Sequence, residues 1–160
     1  MTPSRSARVI VASTRASSGI YQDRSGPIIV DWLASRDFAV DEVDVVADGD
    51  PVGAAIRAGV YAGVDLIVTS GGTGLSPTDR TPEQTRTLLD IEIPGLADAI
   101  RRSGLPDVPT SILSRGTAGI IGTTLVVNLP GSTGGVRDGL TVLGTVLDHT
   151  LDQIRGGDHP

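Results

Sequence analysis

Hydrophobic positions along this chain follow two rhythms. Short apolar runs occur at residues 7–13 (Ala-Arg-Val-Ile-Val-Ala-Ser), 66–69, 120–121 and 125–127. Each is too short for a helix, and runs of this kind read as buried strands. Residues 38–46 alternate acids with valines, which predicts a strand with one wetter face. Elsewhere apolar residues recur three or four apart: Ile28, Ile29, Trp32 and Leu33; Val52, Ile56, Val60 and Tyr61; Leu96, Ala97 and Ile100; then Val136, Leu140, Leu143, Leu147, Leu151 and Ile154. That spacing predicts helices with one core-facing stripe.

The punctuation agrees with these elements. Pro27, Pro51 and Pro82 stand where helices open, a position that tolerates a missing N–H. Asp50 and Thr81 read as N-caps, with Gln84 at the capping-box position after Thr81. Gly104 and Gly156-Gly157 read as helix stops. Glu92 precedes a helix and reads as a partner for its dipole. Residues 110–115 read as a short helical piece. The runs at 120–121 and 125–127 flank Gly122-Thr123-Thr124 and read as a strand pair or one bent strand. No repeat or linker interrupts the pattern, and 160 residues suit one domain.

One stretch carries the chemistry. The run at 66–69 breaks into Ser70-Gly71-Gly72-Thr73-Gly74, followed by Ser76-Pro77-Thr78-Asp79-Arg80-Thr81-Pro82-Glu83. Strand, glycine loop and helix together place backbone N–H groups around a phosphate. Walker A chemistry is excluded, because its loop needs a Lys and the chain has none. The dinucleotide fingerprint also fails, since no third Gly follows Gly72-Thr73-Gly74 at the required place. A tight βα turn is the plain alternative. The same layout recurs after residue 127, in Asn128-Leu129-Pro130-Gly131-Ser132-Thr133-Gly134-Gly135.

Composition narrows the chemistry further. With no Cys there is no thiolate nucleophile and no cysteine metal site. His149 lies within a helix pattern and His159 in the tail, so a hydrolase triad and a zinc site are both poorly supported. Net charge is −6 and the 13 basic residues are scattered, which leaves no footprint for duplex nucleic acid. No apolar run is long enough for a membrane span, and residues 1–5 lack an apolar signal region, so a cytoplasmic protein is expected. Arg15 and Arg24, in the polar stretch 14–26, read as solvated surface groups, with phosphate contact as the alternative. Asp48 and Asp79 fall at the carboxyl edge of the expected sheet, where open α/β sheets bind ligands. Two carboxylates there suit Mg²⁺ held jointly with substrate phosphates. The residues alone lead to an α/β domain that binds phosphorylated ligands.

The wording of the loops adds more. Residues 70–74, then Pro77-Thr78-Asp79 and Thr81-Pro82-Glu83, resemble the first signature of the molybdopterin-binding MogA/MoaB family, which includes the gephyrin and plant Cnx G domains. Residues 128–132 resemble its second. Asp23-Arg24-Ser25-Gly26, Glu92-Ile93-Pro94-Gly95 and residues 114–119 are also similar, so the resemblance runs through nearly the whole chain. It implies a single-domain three-layer α/β/α fold with a mostly parallel central sheet over residues 7–155, with short flexible tails at 1–6 and 156–160. It further implies ATP- and Mg²⁺-dependent adenylylation of molybdopterin with release of pyrophosphate, in a homotrimer. Carried over by position, Ser70, Gly71, Gly72, Thr73 and Gly74 would line the nucleotide side. Pro130, Gly131 and Ser132, with Ser114 and Arg115, would line the pterin side. Asp48 and Asp79 would position Mg²⁺ and the reacting phosphates. Asp50 is the alternative to Asp48, since Gly49 replaces an acid common in the family. Thr14 stands where some members carry an acid, so residues 14–26 receive no catalytic role. A MoaB-type protein that holds molybdopterin without transferring AMP is the alternative function. A nucleotide-binding sensor and a domain without a phosphorylated ligand are the further alternatives.

Overall fold

The computed structural model describes residues 4–157. Fourteen stretches of regular structure follow one another: β1 (Arg5–Ala12), α1 (Thr14–Ser17), α2 (Ser25–Ala34), β2 (Phe38–Val40), β3 (Asp44–Val46), α3 (Asp50–Tyr61), β4 (Leu66–Ser70), α4 (Thr81–Arg86), β5 (Ile91–Glu92), α5 (Pro94–Arg102), a 3-10 turn (Pro109–Leu113), β6 (Ala118–Ile121), β7 (Thr124–Leu129) and α6 (Thr133–Ile154). The sheet order is β2-β1-β4-β7-β6-β5, with β3 also paired to β1. β1, β2, β3, β4 and β7 run parallel; at one edge β6 pairs antiparallel with β7, and β5 antiparallel with β6.

Helices cover both faces, which is why β4 and β7 are buried along their whole length. On one face, α2, α5 and α6 close a core that includes Leu33, Leu66, Val68, Leu125, Leu140 and Leu147. On the other, α3 packs Val52 and Ile56 against Ile10, Ile67 and Val126. These are the three layers that the family resemblance implies. The aliphatic stripe of α6 lands on the sheet as its spacing predicts: Val136, Leu140, Leu143, Leu147 and Leu151 are all buried. No helix among the described residues is long and apolar enough to cross a membrane.

Several local expectations change. The strand expected over 38–46 is two short strands that both pair with β1, separated by the exposed Asp41 and Glu42. Arg5 and Ser6, expected in a flexible tail, begin β1 opposite Phe38 and Ala39; residues 1–3 and 158–160 of the expected tails lie outside the described residues. Tyr61 is 95% exposed rather than on the α3 stripe. It stands nine residues after Val52, half a revolution away on a 3.6-residue helix. Asp50 is not the N-cap of α3: Gly49 holds that position at φ 91, and Asp50 is the first helical residue. Thr81 likewise opens α4 after an Arg80 N-cap, and Gln84 donates to Asp50 instead of closing a capping box. Glu92 precedes α5 as expected, but it lies in β5, paired with Gly119, and its carboxylate is ion-paired with Arg86.

Candidate active site

The parallel strands β1, β4 and β7 end together, and the chain leaves each in a loop. The two glycine loops meet there. Gly71 has φ 91, a conformation that disfavours any side chain, and its N–H donates to Leu129 O at 3.1 Å. A Cβ at Gly71 would stand 2.4 Å from Ala12 O, so only glycine lets β4 turn against the end of β1. A Cβ at Gly131 would lie 3.4 Å from Gly71 Cα, which puts the two loops in contact. The buried Ser70 hydroxyl locks the junction, within reach of Pro130 O at 2.9 Å and Ser25 Oγ at 3.1 Å.

Each loop leaves donors free. The N–H groups of Gly72, Thr73 and Gly74 have no acceptor among the described residues, nor do those of Gly131, Ser132, Thr133 and Gly134. The Ser132 side chain caps α6 by accepting from Gly135 N at 3.1 Å, which leaves its proton free to donate. Runs of unpaired N–H groups on a glycine loop and at the start of a 22-residue helix attract anions. A cleft of about 750 Å³ opens over both loops. Gly71, Gly72, Thr73, Gly74, Asp79, Ser114, Pro130, Gly131 and Ser132 all line it.

The expected acids sit on either side of the first loop. A Cβ at Gly72 would come within 3.2 Å of Asp48 Oδ1, and one at Gly74 within 2.9 Å of Asp79 Oδ2. Asp79 faces the cleft and accepts from Ser76 N at 3.0 Å. Asp48 is outside the cleft lining, and its Oδ2 accepts from the Thr14 hydroxyl at 3.0 Å and Thr14 N at 3.3 Å. Each acid keeps one carboxylate oxygen without a hydrogen bond among the described residues. No three His, Cys, Asp or Glu side chains cluster as a protein-only metal site among those residues. Asp50 is exposed and bonded to Gln84, away from the cleft.

Arg115 is where the structure departs most from the expected roles. It lines neither side of the cleft. Its Nε donates to Gly74 O (2.9 Å), Nη2 to Asp79 O (2.8 Å) and Nη1 to Glu83 Oε1 (2.6 Å), while its backbone N–H donates to Thr73 O (2.8 Å). One guanidinium thus braces the glycine loop, the Asp79 turn and the first turn of α4. Glu83 answers it: burial pushes the carboxyl up, but the Arg115 hydrogen bond, its own N–H and the charges of Arg115 and Arg80 outweigh that and hold it below the usual glutamate range.

Asn128 is also structural. Buried between layers, it accepts from Thr117 N and donates to Thr69 Oγ1 and Thr85 Oγ1, fastening β7 to β4 and α4. Sequence reasoning missed the opposite wall of the cleft, formed by Ile100, Arg101, Ser103 and Gly104 at the end of α5 with Val108 and Leu113. Arg101 fixes that wall to the site by donating to Ser114 O (2.8 Å) and Gly116 O (3.2 Å). The available signal was the run of apolar residues Leu105, Val108, Ile112 and Leu113 inside a Pro-rich loop, all exposed.

Comparison with known proteins places this site in context. Residues 8–149 match the family described as "Probable molybdopterin binding domain". The chain is 38% identical over 154 residues to the molybdenum cofactor biosynthesis bifunctional protein of Synechococcus elongatus, covering 96% of this chain and 48% of that protein. It is 34% identical over 157 residues to the molybdopterin adenylyltransferase of Helicobacter pylori strain J99, covering 92% and 86%. The chain spans about half the length of the bifunctional relatives it matches. Among solved structures, the molybdopterin biosynthesis Mog protein of Mycobacterium ulcerans superposes with TM-score 0.91 at 66% identity, over 94% of this chain and 99% of that one. MoaB of Thermus thermophilus does so with TM-score 0.88 at 42% identity, over 96% and 98%. By family match, relatives and fold alike, the chain belongs to the molybdopterin-binding MogA/MoaB family of molybdenum cofactor biosynthesis proteins.

Proposed function

We propose that the protein transfers AMP from ATP to the terminal phosphate of molybdopterin and releases pyrophosphate. The observation that carries this reading is the contact between the two glycine loops, each with free N–H donors, at the floor of one cleft. Two anion cradles in contact suit a reaction that joins two phosphate-bearing molecules. The N–H groups of residues 72–74 hold the nucleotide at its α-phosphate. Gly131 and Ser132 hold the phosphate of the pterin, whose flat ring lies toward Leu75, Ile100, Val108 and Leu113. A phosphate oxygen of molybdopterin attacks the α-phosphorus of ATP. The bond from that phosphorus to the bridging oxygen breaks, and pyrophosphate leaves with the electron pair.

The protein supplies orientation and charge, since reactants held in line need little covalent help. Two acids with one free oxygen each, beside an anion-binding loop, fit Mg²⁺, which binds through one or two carboxylates plus substrate phosphates. Asp79 and Asp48 would hold it, and when bound it would neutralise the phosphate charge. The working form in this reading is a cytoplasmic homotrimer, as the family resemblance implies.

The likeness to Thermus thermophilus MoaB supports a second reading, in which the protein holds molybdopterin without transferring AMP. Mass spectrometry of the pterin after incubation with ATP and Mg²⁺ separates the two. An added AMP moiety supports transfer; bound but unmodified molybdopterin supports holding.

A further inference from the structure

A second cavity, of about 270 Å³, lies on the other side of the ridge formed by Gly71, Gly131 and Ser132. Its remaining walls come from the end of β1 and the segment after it: Val11, Ala12, Ser13 and Ala16, then Tyr21, Asp23, Arg24 and Ser25. The position is informative. After β1 the chain goes to β2 and β3 on one side, while β4 lies on the other, so the strand order reverses between β1 and β4. Open α/β sheets bind ligands in the crevice at such a point. The large cleft spreads from there toward α5; the small cavity sits at the reversal itself.

Its lining has a chemical character. Ser13, Ser25, Ser132 and Thr133 contribute hydroxyls, and Arg24 contributes a guanidinium with no hydrogen bond or ion pair among the described residues. Asp23 is the one carboxylate in the wall. It is committed to the start of α2, where its Oδ1 accepts from Ser25 N, Ser25 Oγ and Gly26 N. Tyr21 forms the rim, with the Arg15 guanidinium 6.0 Å from its ring centre. A free cation among hydroxyls favours an anion. The volume falls below the roughly 300–1,000 Å³ of whole small-molecule sites, so it takes part of a ligand.

We propose that this cavity receives the pyrophosphate half of the nucleotide, with Arg24 as its charge partner. This rests on the adenylyl-transfer reading, and it gives residues 14–26 a role. The leaving group would then depart on the side of the ridge away from the pterin. The α-phosphate stays at the ridge, where both cavities share Gly71, Gly131 and Ser132.

Calorimetric titration with inorganic pyrophosphate, then with AMP, tests the proposal on the wild type and on Arg24→Gln, Arg24→Lys and Arg57→Gln. Arg57, on α3, lines neither cavity and serves as the charge control. The Arg24 side chain makes no capping bond, so its variants should melt with the wild type. Arg24→Gln should weaken pyrophosphate about tenfold or more, with Arg24→Lys between it and the wild type. AMP affinity should stay within about twofold in both, a change small on the scale of one lost charged contact. Arg57→Gln should bind pyrophosphate like the wild type. Unchanged pyrophosphate affinity in Arg24→Gln, equal loss of AMP, or equal loss in Arg57→Gln would each overturn the proposal. If AMP transfer proceeds while Arg24→Gln keeps its pyrophosphate affinity, this subsite is wrong and the function stands. If pyrophosphate depends on Arg24 but no AMP is transferred, the function is wrong and an anion site remains.

Discussion

Arg115 Nη1 lies 2.6 Å from Glu83 Oε1, and this pair joins the segment before β6 to α4 from behind the cleft. Hydrogen bonds to charged groups contribute about 1.5–3 kcal/mol, and both side chains are partly exposed, so Glu83→Gln should cost near the lower figure at neutral pH. The pH dependence has a definite sign. A carboxyl held below its usual range stabilises the fold at all pH values above its unfolded pKa, and that stability is lost as pH falls through the folded pKa. Urea melts of wild type and Glu83→Gln should therefore differ at neutral pH and converge in acid. A gap that widens on acidification would contradict the assignment.

Thr81 distinguishes two accounts of the α4 start. Its hydroxyl is buried against Gly72 and has no hydrogen-bond partner among the described residues. Thr81→Val removes an unpaired polar atom at nearly constant shape, so stability should hold or rise. Were Thr81 the N-cap, the same change would cost about 0.5–2 kcal/mol. A thermal melt decides between them.

Asp48 and Asp50 should also separate. Asp50 is a first-turn acid bonded to Gln84, so Asp50→Ala should cost only about 0.3–1 kcal/mol and leave AMP transfer unchanged. Asp48→Asn can keep a bond to Thr14 but loses the charge beside Gly72. It should raise the Mg²⁺ concentration needed for half-maximal activity. If Asp50→Ala shifts that titration and Asp48→Asn does not, the site acid is two residues further along.

These residues also show what the sequence made legible. The strand at 66–70, the loop at 71–74 and the α6 stripe could be read directly, because period, glycine and proline are local signals. The helix starts came out one residue off at Asp50 and Thr81, because a capping residue type can sit at the first helical position and bond elsewhere. The structural partner of Asp48, Thr14, is 34 residues away, and no local pattern announces that bond. The Arg115 brace and the Asn128 network join residues 11 to 59 apart, and no local pattern announces such contacts. Arg115 therefore resembled a ligand group when it is a strut.

The central claim is AMP transfer at the junction of the two loops, and Asp79 tests it most directly. Its carboxylate faces the cleft beside Gly74, and its one hydrogen bond, from Ser76 N, can be kept by asparagine. Asp79→Asn should change stability by no more than about 0.5 kcal/mol, as an ordinary surface substitution does. The measurement is pyrophosphate release from ATP and Mg²⁺, with and without molybdopterin, in wild type and Asp79→Asn. The account predicts release that depends on molybdopterin in the wild type and is abolished in a folded Asp79→Asn protein. Wild-type protein that binds molybdopterin but releases no pyrophosphate, or Asp79→Asn protein that releases it at the wild-type rate, would contradict it.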